Sequence, residues 1–518
     1  MEYKLRRAKW LANQFCILAI FLQVRFLDLK YLTNHMTKST LPVIVIPMLV
    51  CFILLESCTT STTSNDAAAS EIPETFTRLC ASCHGADLKG NISQSLLDGS
   101  WQFGSGKDDI MRSIKFGYPH HGMPAWGAVL ADAEIDSLVS FLLYEEERLG
   151  ISKPPIPTTL ETQDYVVKVD VIAEGLDIPW SIDFIDSNRA LITERSGRLR
   201  IMENGVLLPD SVLGIPQVRA WGQGGLLDVA VDPEYDREPW IYLAFSHGHG
   251  KVMENGEELV PAMTSIVRGK LAGNTWSNQE ILFEAPHETY KTARWHFGSR
   301  IVFDPEGFLY FSIGDRGTSE DAQDISKPNG KIHRIHRDGR IPKTNPFYDR
   351  PGAVKSIYAY GNRNPQGLAV HPETGQVWET EHGPLGGDEL NLIRPGLNYG
   401  WPVISYGINY NGDIITELTR KEGMEQPIAF WKPSIATCGL DFYSGNVFPK
   451  WKNRLLVGAL KMEELQLLDI EKDRMMYRQT ILKNAGRVRD VTTGPDGAIY
   501  VVLNNPGKVL RLSQHLEL

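Results

Sequence analysis

One phrase recurs six times between residues 165 and 515: an apolar strand, a turn carrying Gly, Pro or Asp, and a second strand rich in β-branched and aromatic residues. The copies begin at Ser181 ("SIDFIDSNRALITER"), Leu226 ("LLDVAVDPEYDREPWIYLAF"), Arg300 ("RIVFDPEGFLYFSIGD"), Gly367 ("GLAVHPETGQVWETE"), Gly439 ("GLDFYSGNVFPKWKNRLLVGAL") and Val488 ("VRDVTTGPDGAIYVVLN"). Their spacing leaves room for four strands and loops per copy, which predicts an all-β six-bladed β-propeller. "YVVKVDVIAEG", just ahead of the first copy, supplies a strand that closes the ring onto the last blade. A β-sandwich or two smaller β domains would be the other way to use such strands. A propeller gathers one loop per blade at an axial mouth, so a site there draws residues from distant positions.

Ahead of the repeats the chain is different. "RLCASCHG" places Cys80 and Cys83 two residues apart with His84 next, the spacing of covalent c-type haem attachment. The two thiols form thioethers and His84 becomes an axial iron ligand. Zinc would need a further ligand nearby, and no second cysteine pair exists. Met123 in "HHGMPAWG" is the expected sixth ligand, with His120 and His121 as rivals; a thioether raises the haem potential, which suits an electron acceptor. In "DAEIDSLVSFLLYEEERLG", Ile135, Leu138, Val139 and Leu142 form one buried helical stripe, and Asp132 is placed to cap it. Residues 71–147 thus read as a small all-α domain that resembles a class I cytochrome c.

The six cysteines include no disulfide framework: three lie in or beside N-terminal apolar segments, two make the haem motif, and Cys438 stands alone. Haem c is attached outside the cytoplasm, which makes a periplasmic or cell-surface location the expectation. Met36, Lys38 and the apolar run 41–58 make a secretory signal, so Met36 reads as the start, a longer leader being the alternative. "LLESC" ending at Cys58 resembles a bacterial lipobox, although Glu56 departs from it; it predicts a lipid anchor at Cys58, a plain cleaved signal or an uncleaved helix being the alternatives. Residues 59–70 read as a flexible tether and 148–164 as a linker. A net charge of −10 argues against a nucleic-acid footprint.

Polar groups stand just outside the repeat strands: Gln223, His296, Asp315, Arg363, Asn364, the run "EHGPLGGDE" at 381–389, Lys461, Arg487 and Arg489. Several cations converging on one mouth suit a ligand with several carboxylates. A His with an Asp nearby suits a general base. Singly, these have plainer readings: His296 as a core histidine, Asp315 as a turn residue, Gly383-Pro384 as a turn, and the two arginines as a solvated strand face.

"GQGGLLDV", "HFGSR", "IGDRG", "NRNPQGLA", "EHGPLGGDE", "NYGWP" and "GRVRDVTTGPDG" stand in order across 165–515. With them the domain resembles the soluble pyrroloquinoline quinone (PQQ) dependent glucose and aldose sugar dehydrogenases. The resemblance implies His296 as the base at the sugar C1 hydroxyl, Asp315 as its partner, and hydride transfer to the quinone. It implies Arg363 at the developing oxyanion and Gln223 on the sugar side. Asn364, Lys461, Arg487 and Arg489 would hold PQQ. Ca²⁺ would sit on the carbonyls of Gly383 and Pro384, with a second calcium at Glu389 and Tyr399. The implied whole is a quinohaemoprotein that oxidises an aldose to its lactone and passes electrons through haem c toward the respiratory chain. A non-catalytic binding module and a calcium-dependent lactonase are the other functions such a propeller could carry.

Overall fold

A computed structural model describes residues 72–99, 101, 107–117, 122–151, 155–410, 413–432 and 434–515. The leader, the start at Met36, the anchor at Cys58, the tether, and the rival ligands His120 and His121 lie outside the described residues.

The haem-motif segment is helical: Glu74–Leu79, Ala81–His84, Lys107–Phe116 and Asp132–Leu149. The last helix buries the predicted stripe, with Ile135 and Val139 fully inaccessible against Phe76, Ile110 and Leu130. Its cap differs from expectation. Ala131 takes the N-cap position, and the Glu134 carboxylate accepts the Ala131 N–H at 2.8 Å. Asp132 is the first helical residue and pairs with Lys115 at 2.7 Å. Gly150, in the left-handed region (φ 61°), ends the helix.

The rest forms six antiparallel sheets of four or five strands, the six-bladed propeller, and one two-stranded hairpin, Val252–Glu254 with Glu257–Leu259. Blade one is Pro179–Phe184, Arg189–Glu194, Arg198–Glu203 and Val206–Ser211. Blades two to five begin at Leu226, Ile301, Pro365 and Thr437. Blade six is Val488–Thr493, Ile499–Leu503 and Lys508–Gln514, completed by Val166–Ala173, the closing strand expected ahead of the first repeat. Thr159–Glu161, within the segment read as linker, adds a fifth strand to the edge of that sheet. Three residues of polar Thr and Glu around one Leu carry too little periodicity to be read as a strand; pairing supplies the order.

Aspartates on the inner strands latch blade to blade. Asp183 accepts the Val231 N–H, Asp228 that of Ile301, Asp441 that of Thr493, and Asp490 that of Ile182. Each latch ties one inner strand to the next blade, and apolar clusters fill the wedges between blades. Burial pushes Asp183 and Asp441 up to about 7 despite their donors.

Candidate active site

Two kinds of chain position open on one end of the propeller: the entries to the inner strands and the exits of the second strands. Gln223, His296, Arg363 and Arg487 lie before inner strands; Arg195, Asp315, Glu381 and Lys461 lie at or just beyond the ends of second strands. Residues up to about 290 positions apart therefore converge, as a propeller mouth requires.

The centre is a His–Asp pair. His296 Nδ1 and Asp315 Oδ1 are 2.6 Å apart, and both side chains are largely buried. Asp315 Oδ1 also accepts the Gly317 N–H at 2.8 Å, and its Oδ2 accepts the Trp401 indole N–H at 2.9 Å. Burial opposes ionisation of Asp315, but His296, Arg363 and the Gly317 N–H bring its carboxyl down to about 2. An ionised acceptor on Nδ1 fixes the proton there and leaves Nε2 as the basic nitrogen. Burial holds the His296 pKa below its ordinary value, with Asp315 opposing that shift. The imidazole is therefore neutral and ready to accept a proton.

The loop bearing His296 is held tightly. His296 adopts φ 61°, uncommon for a residue with a side chain. Its N–H donates to Gln223 Oε1 at 2.9 Å, so Gln223 positions the base with its amide oxygen and keeps its amide nitrogen for a ligand. The His296 carbonyl packs on Gly314, where a Cβ would come within 2.4 Å. Arg316 donates to the carbonyls of Ala293 and Trp295 and lies over the Phe297 ring.

Arg363 lies across from the pair. Its Nη1 donates to the carbonyls of His382 and Gly383, each at 3.0 Å, and its guanidinium carbon is 5.2 Å from the Trp401 ring centre. Trp401 thus touches both the base pair and the cation. Asn364 Oδ1 accepts from the Gly298 N–H and from Gln366, bracing the same loop.

A second cationic group lies beneath. Arg195, Arg487 and Arg489 repel one another, and burial with that repulsion lowers Arg195 and Arg487 to about 10. Arg489 donates to Gln366 and to the Cys438 thiol, while its Nε is buried without a partner. Arg363 Nε and His382 Nε2 are likewise buried and unpartnered. Crowded guanidiniums with orphaned donors fit a polycarboxylate ligand. Lys461 is exposed on the rim of blade five. A haem-domain carboxylate, Asp98, acts on Arg487 electrostatically. Arg195, His382 and Trp401 escaped the sequence reading, although Arg195 ends the first repeat phrase and Trp401 lies in "NYGWP".

Hard-cation donors divide in two. The Gly383 carbonyl accepts from Arg363 at 3.0 Å, so a cation on Gly383 and Pro384 would share that oxygen with the guanidinium. Beside it lie buried Glu379 and Glu381 and half-buried Glu389; burial with repulsion from Glu381 raises Glu379 and Glu389, and burial with the Asp315 charge raises Glu381 to about 7. Glu379 Oε1 and Asn391 Oδ1 lack partners, and a cavity of about 10 Å³ is lined by Glu381, Glu389 and Tyr399. The anionic oxygens suit calcium. Among the described residues, however, no three His, Cys, Asp or Glu side chains converge as ligands. The Tyr399 hydroxyl donates to Leu392 O and accepts from Arg394 N, which leaves its carbonyl as its available donor.

In the helical domain, Cys80 and Cys83 bracket one turn, the Cys80 carbonyl accepting from the N–H of Cys83 and His84. His84 Nδ1 lies 3.3 Å from the Gln94 carbonyl, leaving Nε2 as the ligand nitrogen, and burial keeps the ring neutral. Met123 packs against the same core as Phe76 and Leu138. The Cys80–His84 turn fits covalently held haem, with Met123 on the same apolar core as the proposed sixth ligand.

Residues 176–511 match the Glucose / Sorbosone dehydrogenase family model, and residues 67–142 match that of Cytochrome C oxidase, cbb3-type, subunit III. The chain is 38% identical to the aldose sugar dehydrogenase of Escherichia coli strain K12 over 352 residues, 67% of this chain and 93% of that one. The apo structure of the soluble aldose sugar dehydrogenase from Escherichia coli superimposes with a TM-score of 0.62 at 36% identity, over 67% of this chain and all of the other. The PQQ-bound aldose sugar dehydrogenase of Streptomyces coelicolor gives 0.55 at 25% identity, over 70% of this chain and all of the other.

Proposed function

Since the chain belongs to the glucose/sorbosone dehydrogenase family and carries a cytochrome c domain, we propose that it oxidises an aldose at C1 to the lactone, with PQQ as first acceptor and its own haem c as outlet. The observation that carries this reading is a neutral His296 held by an ionised Asp315 at the mouth where Arg363 and Arg489 each keep a buried, unpartnered Nε. Bound PQQ would supply a two-electron acceptor with three carboxylates. Arg487, Arg489, Asn364 and Lys461 would hold it, with Arg195 added to the set.

His296 Nε2 removes the C1 hydroxyl proton, and the carboxylate of Asp315 stabilises the imidazolium that forms. Arg363 places fixed positive charge where negative charge develops. Gln223 turns its amide nitrogen toward the sugar. A cation beside Glu389 would neutralise the buried acids; calcium is the proposed ion. Cys80, Cys83 and His84 would hold a haem, which would supply a one-electron acceptor, and tethering would keep it at an effective concentration of about millimolar. Covalent haem implies assembly outside the cytoplasm, with the lipobox-like Cys58 as the proposed membrane anchor and the respiratory chain as the final recipient.

The test is a panel of aldoses added to the haem-loaded protein with PQQ and Ca²⁺, watched at the haem bands. Haem reduction that requires both sugar and PQQ is expected. A spectrum unmoved by every sugar would refute the proposal, and lactone hydrolysis without PQQ binding would replace it with a hydrolase.

A further inference from the structure

Two arginines at the mouth, half-buried Arg219 and exposed Arg294, share one aromatic ring. Arg219 and Arg294 have their guanidinium carbons 4.9 and 5.0 Å from the centre of one ring, that of Trp221. By the triangle inequality the two charges are at most 9.9 Å apart (4.9 plus 5.0). Among the described residues neither side chain has a carboxylate or carbonyl partner, and Arg219 Nε is buried and unsatisfied. Elsewhere on the same two blades, Arg268 is paired with Glu280 and Arg337 with Asp232. Two neighbouring cations with an orphaned buried donor call for an anion.

The position of this pair says which part of a ligand would bring it. The Gln223 N–H donates to the Arg294 carbonyl at 2.7 Å, and the His296 N–H donates to Gln223 Oε1 at 2.9 Å. Segments 219–223 and 294–296 are therefore bound side by side, with Arg294 two residues from the base and Trp221 two residues from Gln223. Of the other cationic cluster, Arg487 and Arg489 belong to blade six, while Arg195 of blade one adjoins this segment through its carbonyl, which accepts the Leu226 N–H at 3.3 Å. A charge neutralised by Arg219 and Arg294 would enter on the sugar side rather than the cofactor side.

We propose that Arg219, Trp221 and Arg294 form an anion subsite selecting aldoses that carry a negative charge at the end remote from C1, a uronate carboxylate or a terminal phosphate. The proposal rests on the aldose reading above. Trp221 offers an apolar face to the sugar ring while the guanidiniums take the charged end.

The experiment compares glucose, glucuronate and glucose 6-phosphate as reductants of the haem in the PQQ-loaded protein, and in Arg219→Gln and Arg294→Gln. At least one charged sugar should exceed glucose in kcat/KM by about tenfold, the scale of one charge-assisted hydrogen bond. That ratio should fall toward one in each variant and with added salt. Uronate alone or phosphate alone at high ratio identifies the anion. A ratio near one in the native protein overturns the proposal. So does a ratio unchanged in both variants while all rates fall together, which would assign the rim to haem-domain docking. Calorimetric titration of the same sugars into haem-loaded protein without PQQ provides a readout independent of turnover. If no sugar reduces haem, the aldose reading fails, and arginine-dependent binding of the charged sugar alone still decides the subsite.

Discussion

Replacing Asp315 with Asn tests the catalytic reading at its most buried joint. The carboxylate is 2.6 Å from His296 Nδ1, almost without solvent exposure. As His296 gains a proton, it forms an imidazolium whose charge centre is about 4 Å from the carboxylate, an attraction of about 4 kcal/mol at an effective dielectric of about 20. Losing it should lower kcat about a thousandfold, while KM for the sugar changes little because Asp315 does not face the ligand. The sign of the pH effect follows from the same contact. Burial lowers the His296 pKa and Asp315 raises it; Asp315→Asn removes the raising influence, so the acid limb of the rate profile moves to lower pH. The assay is single-turnover haem reduction across pH with saturating PQQ. A variant within tenfold of the native rate, or an acid limb that moves upward, would refute the reasoning.

Trp401→Phe should move the same limb the other way. It removes a donor from Asp315 Oδ2 while keeping the ring under Arg363. The more basic carboxylate stabilises the imidazolium more strongly, so kcat should stay within about tenfold of native; a loss near that of Asp315→Asn would refute this ordering. Met123→His should keep a six-coordinate haem but lower its potential, read by redox titration; an unchanged potential would remove Met123 from the iron. Asp441 has a folded pKa raised to about 7 from an ordinary value near 4. Its stabilising contribution is therefore complete below about pH 4 and lost as pH rises through about 7. The stability advantage of the native protein over Asp441→Asn should decline across that window in urea titrations and be flat above it. Chelation should lower thermal stability if a cation neutralises Glu379, Glu381 and Glu389; indifference to chelator would argue for protonated acids there.

Much of the architecture could be read before any coordinates. Six strand–turn–strand phrases imply six blades because each sheet buries its faces only against its neighbours, and the closing strand Val166–Ala173 follows from the apolar alternation ahead of the first phrase. Cys80, Cys83 and His84 announce haem because the chemistry is local: three residues on one turn. Thr159–Glu161 stayed hidden because pairing with Val166–Ala173, rather than its own composition, makes it a strand. Asp132 looked like a cap, yet one residue of register gave that position to Ala131.

The active site divides along the same line. Residue types and motif order are one-dimensional, so His296, Asp315, Arg363, Arg487 and Arg489 could be named from the sequence. Which atoms meet is a matter of closure. Only the closed ring brings Trp401 to Asp315, the Gln223 oxygen to the His296 N–H, and Arg195 against Arg487 and Arg489. Nor could sequence order show that Arg363 donates to the Gly383 carbonyl, or that Arg219 and Arg294 share one indole. Local sequence sets what each strand and turn can be, because those forces act between neighbours in the chain. Burial, unpaired charge and shifted pKa arise between residues far apart in it, and they exist only once the sixth blade closes on the first.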